Sequence, residues 1–181
     1  MKDSDSDRYF TAQAELDLVL AQWGSIDLDP CWDPESIVQA STCYDIRRGE
    51  DGLLLPWQGK VWLNPPYSDP APWLHRAVLH ASEGGEVLAL VVAAVGSSYW
   101  RRLVWPFASV CALSPRPKFS RPKSLGPKRS ATQIDHAVLY YGQHHVQFAT
   151  QWATRGELVT SHRLARPDPR YLTDRSRPSG L

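Results

Sequence analysis

Apolar side chains near the start of the chain recur first at helical and then at strand spacing. In residues 12–23 they fall at intervals of three and four, which predicts a helix, and Thr11 is placed to cap its first turn. Residues 25–30 alternate between apolar and acidic positions, which predicts a short strand. This strand ends on the carboxylate of Asp29.

Residues 33–59 have the weakest periodicity in the first half of the chain. A short helix is predicted for residues 34–39 and an extended piece for residues 42–46. The remainder is predicted as loop, because glycine and other turn residues interrupt the apolar runs.

From residue 60 onward, strands and helices alternate. Residues 60–63 predict a strand, and Pro72 suits the first turn of a helix over residues 71–82. Residues 86–95 form a continuous apolar run, typical of a strand covered by helices on both faces. A helix over 97–107 and strands at 109–113 and 136–141 follow. This order predicts an α/β fold with a mostly parallel central sheet flanked by helices.

Composition and length indicate one folded domain. The chain has 181 residues, of which 43% are hydrophobic and eight are tryptophan, enough for a core on both faces of a sheet. We assign this domain to residues 9–150. Residues 161–181 contain five arginines, three prolines and few apolar residues, which predicts a basic, disordered tail.

Several broad classes of protein are disfavoured. The three cysteines are widely spaced without a CxxC pair, which fits reduced thiols in a cytoplasm. No metal is expected, because His136 and the pair His144-His145 lack partners at metal-ligand spacing. No apolar run approaches 18 residues, and the polar, acidic start does not resemble a signal peptide, so no membrane association is expected.

The tetrapeptide Asn-Pro-Pro-Tyr follows the predicted strand at residues 60–63. Asn64 offers a carbonyl oxygen, and Pro65 holds it in an extended conformation, while Pro66 continues a rigid bend that directs backbone carbonyls outward. Two convergent acceptors suit an exocyclic amino group, and Tyr67 can stack on a planar ring. The alternative is a Pro-Pro turn without function, in which Tyr67 covers the sheet edge.

This motif after a buried strand is the signature of the amino-methyltransferases, and further segments narrow the family. Residues 9–16, 27–34 and 51–68 and the "PWLHRA" helix resemble the phage-type, Dam-like DNA adenine-N6 methyltransferases. The resemblance extends over most of residues 9–141. It implies a Rossmann-like methyltransferase fold, S-adenosylmethionine as the methyl donor, and a bacterial cytoplasm, with a phage-encoded origin also open.

The resemblance also assigns cofactor-binding positions. It implies that the methionine moiety lies beside Tyr9, Phe10 and Thr11, that the loop after the first strand contributes Asp29, Pro30 and Cys31, and that Asp51 lies near the adenosyl group. Structural alternatives are open, since Asp29 or Thr11 could cap a helix and Asp51 could belong to an ordinary turn.

Two features depart from the family pattern. The glycine-rich loop is absent, because the chain reads Pro-Cys-Trp after Asp29, with the bulky Trp32 where the family more often has a small residue. The acid that binds the ribose is also open between Glu35 and Asp45.

The positive charge is concentrated in one predicted loop, residues 114–130, although the net charge of the chain is only +1. This loop is expected on the same rim as Asn64, where it would bind DNA phosphates. The alternative is a solvated loop, and Phe119 within it could wedge between bases or pack on the core. The candidate DNA-binding residues are Arg116, Lys118, Arg121, Lys123, Lys128 and Arg129.

The hypothesis is therefore a DNA adenine-N6 methyltransferase that acts on a flipped-out base. Asn64 and the Pro65 carbonyl would hold the amine and Tyr67 would stack on the adenine. Two alternatives are open: a methyltransferase that acts on cytosine N4, RNA or a protein amide, and an inactive nucleic-acid-binding module of the same fold.

Overall fold

The structure is a computed structural model, and it describes residues 9–120 and 133–160. Within these residues, seven strands form one sheet in the order β2-β1-β3-β4-β6-β5-β7. The strands are β1 (Leu28–Asp29), β2 (Thr42–Cys43), β3 (Lys60–Leu63), β4 (Glu86–Val92), β5 (Ser109–Leu113), β6 (His136–Tyr141) and β7 (Gly156–Val159).

The sheet is mixed, with a parallel half and an antiparallel half. Strands β2, β1, β3 and β4 pair in parallel, whereas β6 is antiparallel to both β4 and β5, and β7 is antiparallel to β5. Five of these seven strands therefore point in one direction. The expected α/β fold with a mostly parallel central sheet is confirmed.

Helices cover both faces of the sheet. On one face, α1 (Gln13–Trp23) and α3 (His145–Trp152) pack against side chains such as Trp62 and Leu88. On the other, α2 (Ala71–Ser82) and a π-helical turn at Trp100–Val104 pack against the alternate strand positions, among them Val61. The period-two alternation of each strand fills both cores, which stabilises the sheet and fixes its carboxyl edge.

The short helix predicted over residues 34–39 is wrong. The side chain of Asp33 accepts a hydrogen bond from the Glu35 amide at 2.9 Å, and its carbonyl accepts one from the Ser36 amide at 2.8 Å. Local bonds of an acidic side chain compete with helix formation, and here they hold a turn instead.

Other predicted features also differ, since β1 and β2 each have only two residues, fewer than the predicted 25–30 and 42–46. The helix over 97–107 is reduced to helical turns ending at Val104, since Pro106 has no N–H to continue a ladder. Strand β4 ends at Val92 instead of residue 95. Helix α1 begins after Ala12 without a side-chain cap, so the predicted capping role of Thr11 is wrong.

Two elements near the end of the described chain had no counterpart in the sequence prediction, α3 and β7. Their connection carries Arg155, which binds the fully buried Glu15 of α1 with an Nε–Oε1 distance of 2.8 Å. Breaking a buried ion pair leaves one charge without compensation, so this contact ties the antiparallel edge to α1. The sheet therefore includes residues beyond position 150, and residues 161–181 lie outside the described part.

Across residues 9–120 and 133–160, no helix is long and apolar enough to cross a membrane. In the same residues no group of three or more His, Cys, Asp or Glu side chains is arranged to hold a metal ion.

Candidate active site

The order of the strands reverses between β1 and β3, because the chain leaves β1 toward β2 and then returns to β3 on the other side. Ligands of open α/β sheets bind beyond the carboxyl ends of the strands at such a reversal. A cavity opens there, and it brings together all seven predicted cofactor positions and two of the four predicted catalytic ones: Tyr9, Phe10, Thr11, Asp29, Pro30, Cys31, Asp51, Asn64 and Pro66.

Asp29 ends β1 and lies at the base of the cavity, where it is only 3% exposed. Its Oδ1 accepts a hydrogen bond from the Cys31 amide at 3.0 Å, so it stabilises its own turn and does not cap a helix. Burial raises the pKa of Asp29 to about 7, and the nearby Asp33 carboxylate adds to the increase. A cationic ligand group would reverse this effect.

The loop after β1 is held tightly against a second turn that contains Asp51. A Cβ atom at Gly52 would lie 2.0 Å from the carbonyl oxygen of Pro30, so only glycine permits this approach. Asp51 Oδ1 accepts the Leu53 amide at 2.8 Å. Asp51 therefore stabilises a turn, as its structural alternative supposed, and also lines the cavity.

Arg76 of α2 holds the backbone of the Asp51 turn. Its guanidinium donates to the carbonyl oxygens of Leu53 and of Leu55, the latter at 2.6 Å, and lies 5.0 Å from the ring centroid of Trp57. The indole of Trp57 in turn donates to the Gly52 carbonyl at 2.8 Å. These bonds fix the turn to α2, although α2 itself is not part of the predicted cofactor site.

Asn64 lies directly after β3 and also lines the cavity. Its amide nitrogen Nδ2 donates to the Tyr9 carbonyl oxygen at 2.7 Å. Its carbonyl oxygen Oδ1 is buried and has no hydrogen-bond partner among the described residues. A buried acceptor without a partner is costly, and a ligand N–H group would satisfy it.

Tyr67 does not line the cavity, although it belongs to the same motif. Its ring stacks on Tyr9 with the centroids 5.4 Å apart and the planes 10° apart, and it also contacts Phe119 and His136. Its hydroxyl is buried without a partner in the described residues, and burial raises its pKa well above the ordinary value. Pro65 is buried, so it forms the support behind the bend.

The acid that follows β2 is Asp45, and it lines the cavity, whereas Glu35 does not. Asp45 accepts two hydrogen bonds from the guanidinium of Arg47, at 2.9 and 3.1 Å, and these lower its pKa. Glu50, which also lines the cavity, accepts the Asp45 amide at 2.9 Å. Of the two acids left open by the sequence, the structure brings only Asp45 to the cavity.

The described part of the basic loop ends beside the segment that contacts Asn64. Ser120 pairs with Phe10 through a hydrogen bond of 3.0 Å, and Phe119 packs between Tyr67 and His136 with only 8% exposure. Phe119 therefore packs on the core in this structure. Arg116 pairs with Asp135 at 2.6 Å and Lys118 is exposed, whereas the candidate residues Arg121, Lys123, Lys128 and Arg129 lie outside the described residues.

Comparison with known proteins identifies the family of this chain. Residues 1–133 match the model of the DNA N-6-adenine-methyltransferase (Dam) family. The chain belongs to this family. The resemblance seen in the motifs is thereby confirmed.

Individual relatives are more distant. A stretch of 52 residues is 33% identical to the DNA N-6-adenine-methyltransferase of Haemophilus phage HP1, and it spans 28% of this chain and 30% of that protein. Among solved structures, a dimethyladenosine transferase from Plasmodium falciparum matches with a TM-score of 0.43 and 15% identity, over 76% of this chain and 64% of that one.

Several cavity residues of this Dam-family chain were missed by the motif analysis. Trp73 of α2 is buried and also forms part of the cavity wall. Proximity to the motifs could have identified Asp33 and Ser68, but Tyr44 and Glu50 come together with them only through the fold. The missed lining residues are Trp32, Asp33, Ser36, Tyr44, Ile46, Arg47, Glu50, Gly52, Ser68, Asp69 and Trp73.

Cys31 contributes a thiol to the cavity. Burial raises its pKa well above that of an ordinary cysteine, and the neighbouring Asp29 and Asp51 carboxylates act in the same direction. The thiolate is the nucleophilic form, so Cys31 is a poor nucleophile near neutral pH.

Proposed function

We propose that this chain is a DNA adenine-N6 methyltransferase that uses S-adenosylmethionine. The observation that carries the proposal is the buried Oδ1 of Asn64, an acceptor without a partner among the described residues, in a cavity at the strand-order reversal. Family membership supports the same activity.

The charge of the cavity fits the proposed cofactor. The acidic side chains that line it are Asp29, Asp33, Asp45, Glu50, Asp51 and Asp69, whereas Arg47 is the one lysine or arginine among the described lining residues. S-adenosylmethionine carries a sulfonium and an ammonium group, so an acid-rich cavity favours it electrostatically. The same lining disfavours a DNA phosphate in this position.

Each region of the cavity has a proposed role. Asp29 would pair with the ammonium group of the cofactor, since a nearby cation stabilises the ionised form of a buried carboxyl. Asp51 would lie near the adenosyl group and Tyr9, Phe10 and Thr11 beside the methionine moiety. The bound cofactor would supply a methyl group activated by a positively charged sulfur.

The chain's own contribution to the reaction is to position the target amine. Asn64 Oδ1 and the Pro65 carbonyl would each accept a hydrogen bond from one of its two N–H groups, which directs the nitrogen lone pair away from them. Alignment of the two reacting groups in this way lowers the activation free energy, and it needs no covalent enzyme intermediate. The adenine would leave the DNA stack to reach this place, and the loop at residues 114–130 would bind phosphates.

The decisive experiment is incubation with isotopically labelled S-adenosylmethionine and unmethylated DNA, followed by nucleoside analysis. We expect the label in N6-methyladenine. Label in cytosine, in RNA or in protein would contradict the proposed substrate. A chain that neither transfers the label nor binds the cofactor in calorimetry would be an inactive binding module.

A further inference from the structure

Tyr9 has contacts that a cofactor-binding role does not require. Its carbonyl oxygen accepts the hydrogen bond of Asn64, and its ring stacks on Tyr67. Among the side chains that it contacts are both polar members of the Asn-Pro-Pro-Tyr motif, and Phe119 packs edge-on against its ring. One residue, 55 positions away from Asn64 in sequence, thus contacts both.

The backbone around Tyr9 is fixed on two sides. The next residue, Phe10, donates its amide proton to Ser120 at 3.0 Å. The hydroxyl of Thr11 accepts a hydrogen bond of 3.0 Å from the indole of Trp62, which is completely buried in β3. The Tyr9 carbonyl is therefore held between the sheet and the loop after β5.

This carbonyl determines how the Asn64 side chain is oriented. A backbone carbonyl can only accept, so the amide must present its nitrogen to Tyr9, and the opposite orientation would bring two oxygens together. Oδ1 is consequently directed away from Tyr9 as a buried acceptor. The amide oxygen required by the proposed chemistry is selected by a residue outside the motif.

The ring of Tyr9 holds the ring of Tyr67 in place. A base between the Tyr9 and Tyr67 rings would need the planes about 7 Å apart, which is twice a contact distance of about 3.5 Å. The centroids are only 5.4 Å apart with nearly parallel planes, so the two rings stack directly on each other. Such a pair stabilises one orientation of Tyr67, whose other ring neighbours are Phe119 and His136.

We propose that Tyr9 is a positioning residue for the target base, because its carbonyl oxygen orients the amide of Asn64 and its ring fixes the ring of Tyr67. This inference rests on the proposed function, and it extends the role of Tyr9 beyond the cofactor side of the cavity. The ring is the part that mutation can remove, since every residue at position 9 keeps the carbonyl.

The test compares Tyr9→Ala, which removes the ring, with Tyr9→Phe, which keeps it. For Tyr9→Ala we expect kcat to fall about 10- to 100-fold, in line with the cost of small misplacements of reacting groups. Because Tyr9 also lines the cavity beside the proposed position of the methionine moiety, cofactor affinity, measured by calorimetry, should fall as well, but by a smaller factor than kcat at saturating cofactor. Tyr9→Phe, which keeps the ring, should lose much less of both. Thermal unfolding of each variant verifies that it is folded.

A second measurement does not depend on methylation. The side-chain amide of Asn64, assigned in NMR spectra by its absence from Asn64→Ala, should show slow proton exchange in the native chain and in Tyr9→Phe. It should shift and exchange faster in Tyr9→Ala, as the carbonyl loses its support.

Other results would overturn the inference. If Tyr9→Ala weakens cofactor binding while kcat at saturation is unchanged, the ring is only a cofactor contact. If it raises the rate, the ring obstructs the base. A native chain that fails to methylate adenine would contradict the proposed function, and the NMR comparison would still decide whether Tyr9 orients Asn64.

Discussion

The two sides of the cavity are stabilised in different ways. On the cofactor side, Asp29 and Asp51 each accept a backbone amide two residues further along the chain, so local turns fix their carboxylates. On the base side, Asn64 and Tyr67 are held by Tyr9, which is more than 50 residues away. The proposed cofactor side is acidic and is held by contacts between residues close in sequence. The proposed base side is aromatic and is held by long-range contacts.

Because the two sides are held by different contacts, a substitution on one side should change mainly cofactor binding and one on the other side mainly methyl transfer. The largest effect is expected for Asn64→Ala. Removal of the acceptor should lower kcat by about 10²- to 10³-fold, the usual cost of one hydrogen-bonding group that acts on the reacting atoms. Cofactor affinity, measured by calorimetry, should remain close to that of the native chain. Loss of both would mean that Asn64 is structural and that the two sides are not separable.

A substitution on the proposed cofactor side should weaken cofactor binding and change kcat much less. Asp29→Asn keeps the size of the side chain but removes its charge, so cofactor affinity should fall about 10- to 100-fold, the range expected for loss of one hydrogen bond to a charged group. At saturating cofactor, kcat should change much less.

The raised pKa of Asp29 also predicts a pH dependence of cofactor affinity. Below pH 7 the buried carboxyl is mostly protonated in the free protein, and a cationic ligand favours the ionised form. Affinity should therefore rise as the pH increases through about 7 and level off about one unit higher, where the group is already ionised in the free protein. Calorimetry on Asp29→Asn should show a flatter profile, and an equally steep one would assign the titration to another group.

Arg76 should affect the cofactor side indirectly. Arg76→Met retains an unbranched side chain but removes the donors to the Leu53 and Leu55 carbonyls, so the Asp51 turn loses its support. We expect about a three- to tenfold loss of cofactor affinity, consistent with about 1 kcal/mol for bonds of a charged donor. The matched control is Arg102→Met at an exposed position, for which no change is expected.

The smallest predicted effect concerns the basic loop. Lys118→Ala should weaken DNA binding to all sequences alike and reduce the slope of log affinity against log salt by about 1, as for one lost phosphate contact. Fluorescence anisotropy at several salt concentrations measures this slope. An effect limited to one DNA sequence would instead indicate that Lys118 contacts bases.

The sequence predicted the turns on the proposed cofactor side better than the contacts on the proposed base side, because the signals for those turns are local. A carboxylate at the end of a strand and an Asp-Gly turn can be recognised from neighbouring residues. The same local signals misled at residues 34–39, where the side-chain bond from Asp33 favours a turn over the predicted helix. The strand β7 was missed because it has only four residues, of which two are half-buried and two are exposed, so its hydrophobic pattern is weak.

By itself, the sequence determined the α/β class, the order of the central strands along the chain and the motif that identifies the family. These follow from hydrophobic periodicity and from short peptides whose conformation is largely their own. Only the tertiary structure decided which atom of Asn64 is available, what covers Tyr67, and that Asp45 reaches the cavity while Glu35 does not. Those features depend on contacts between residues far apart in the chain, and the residue types alone do not specify such contacts.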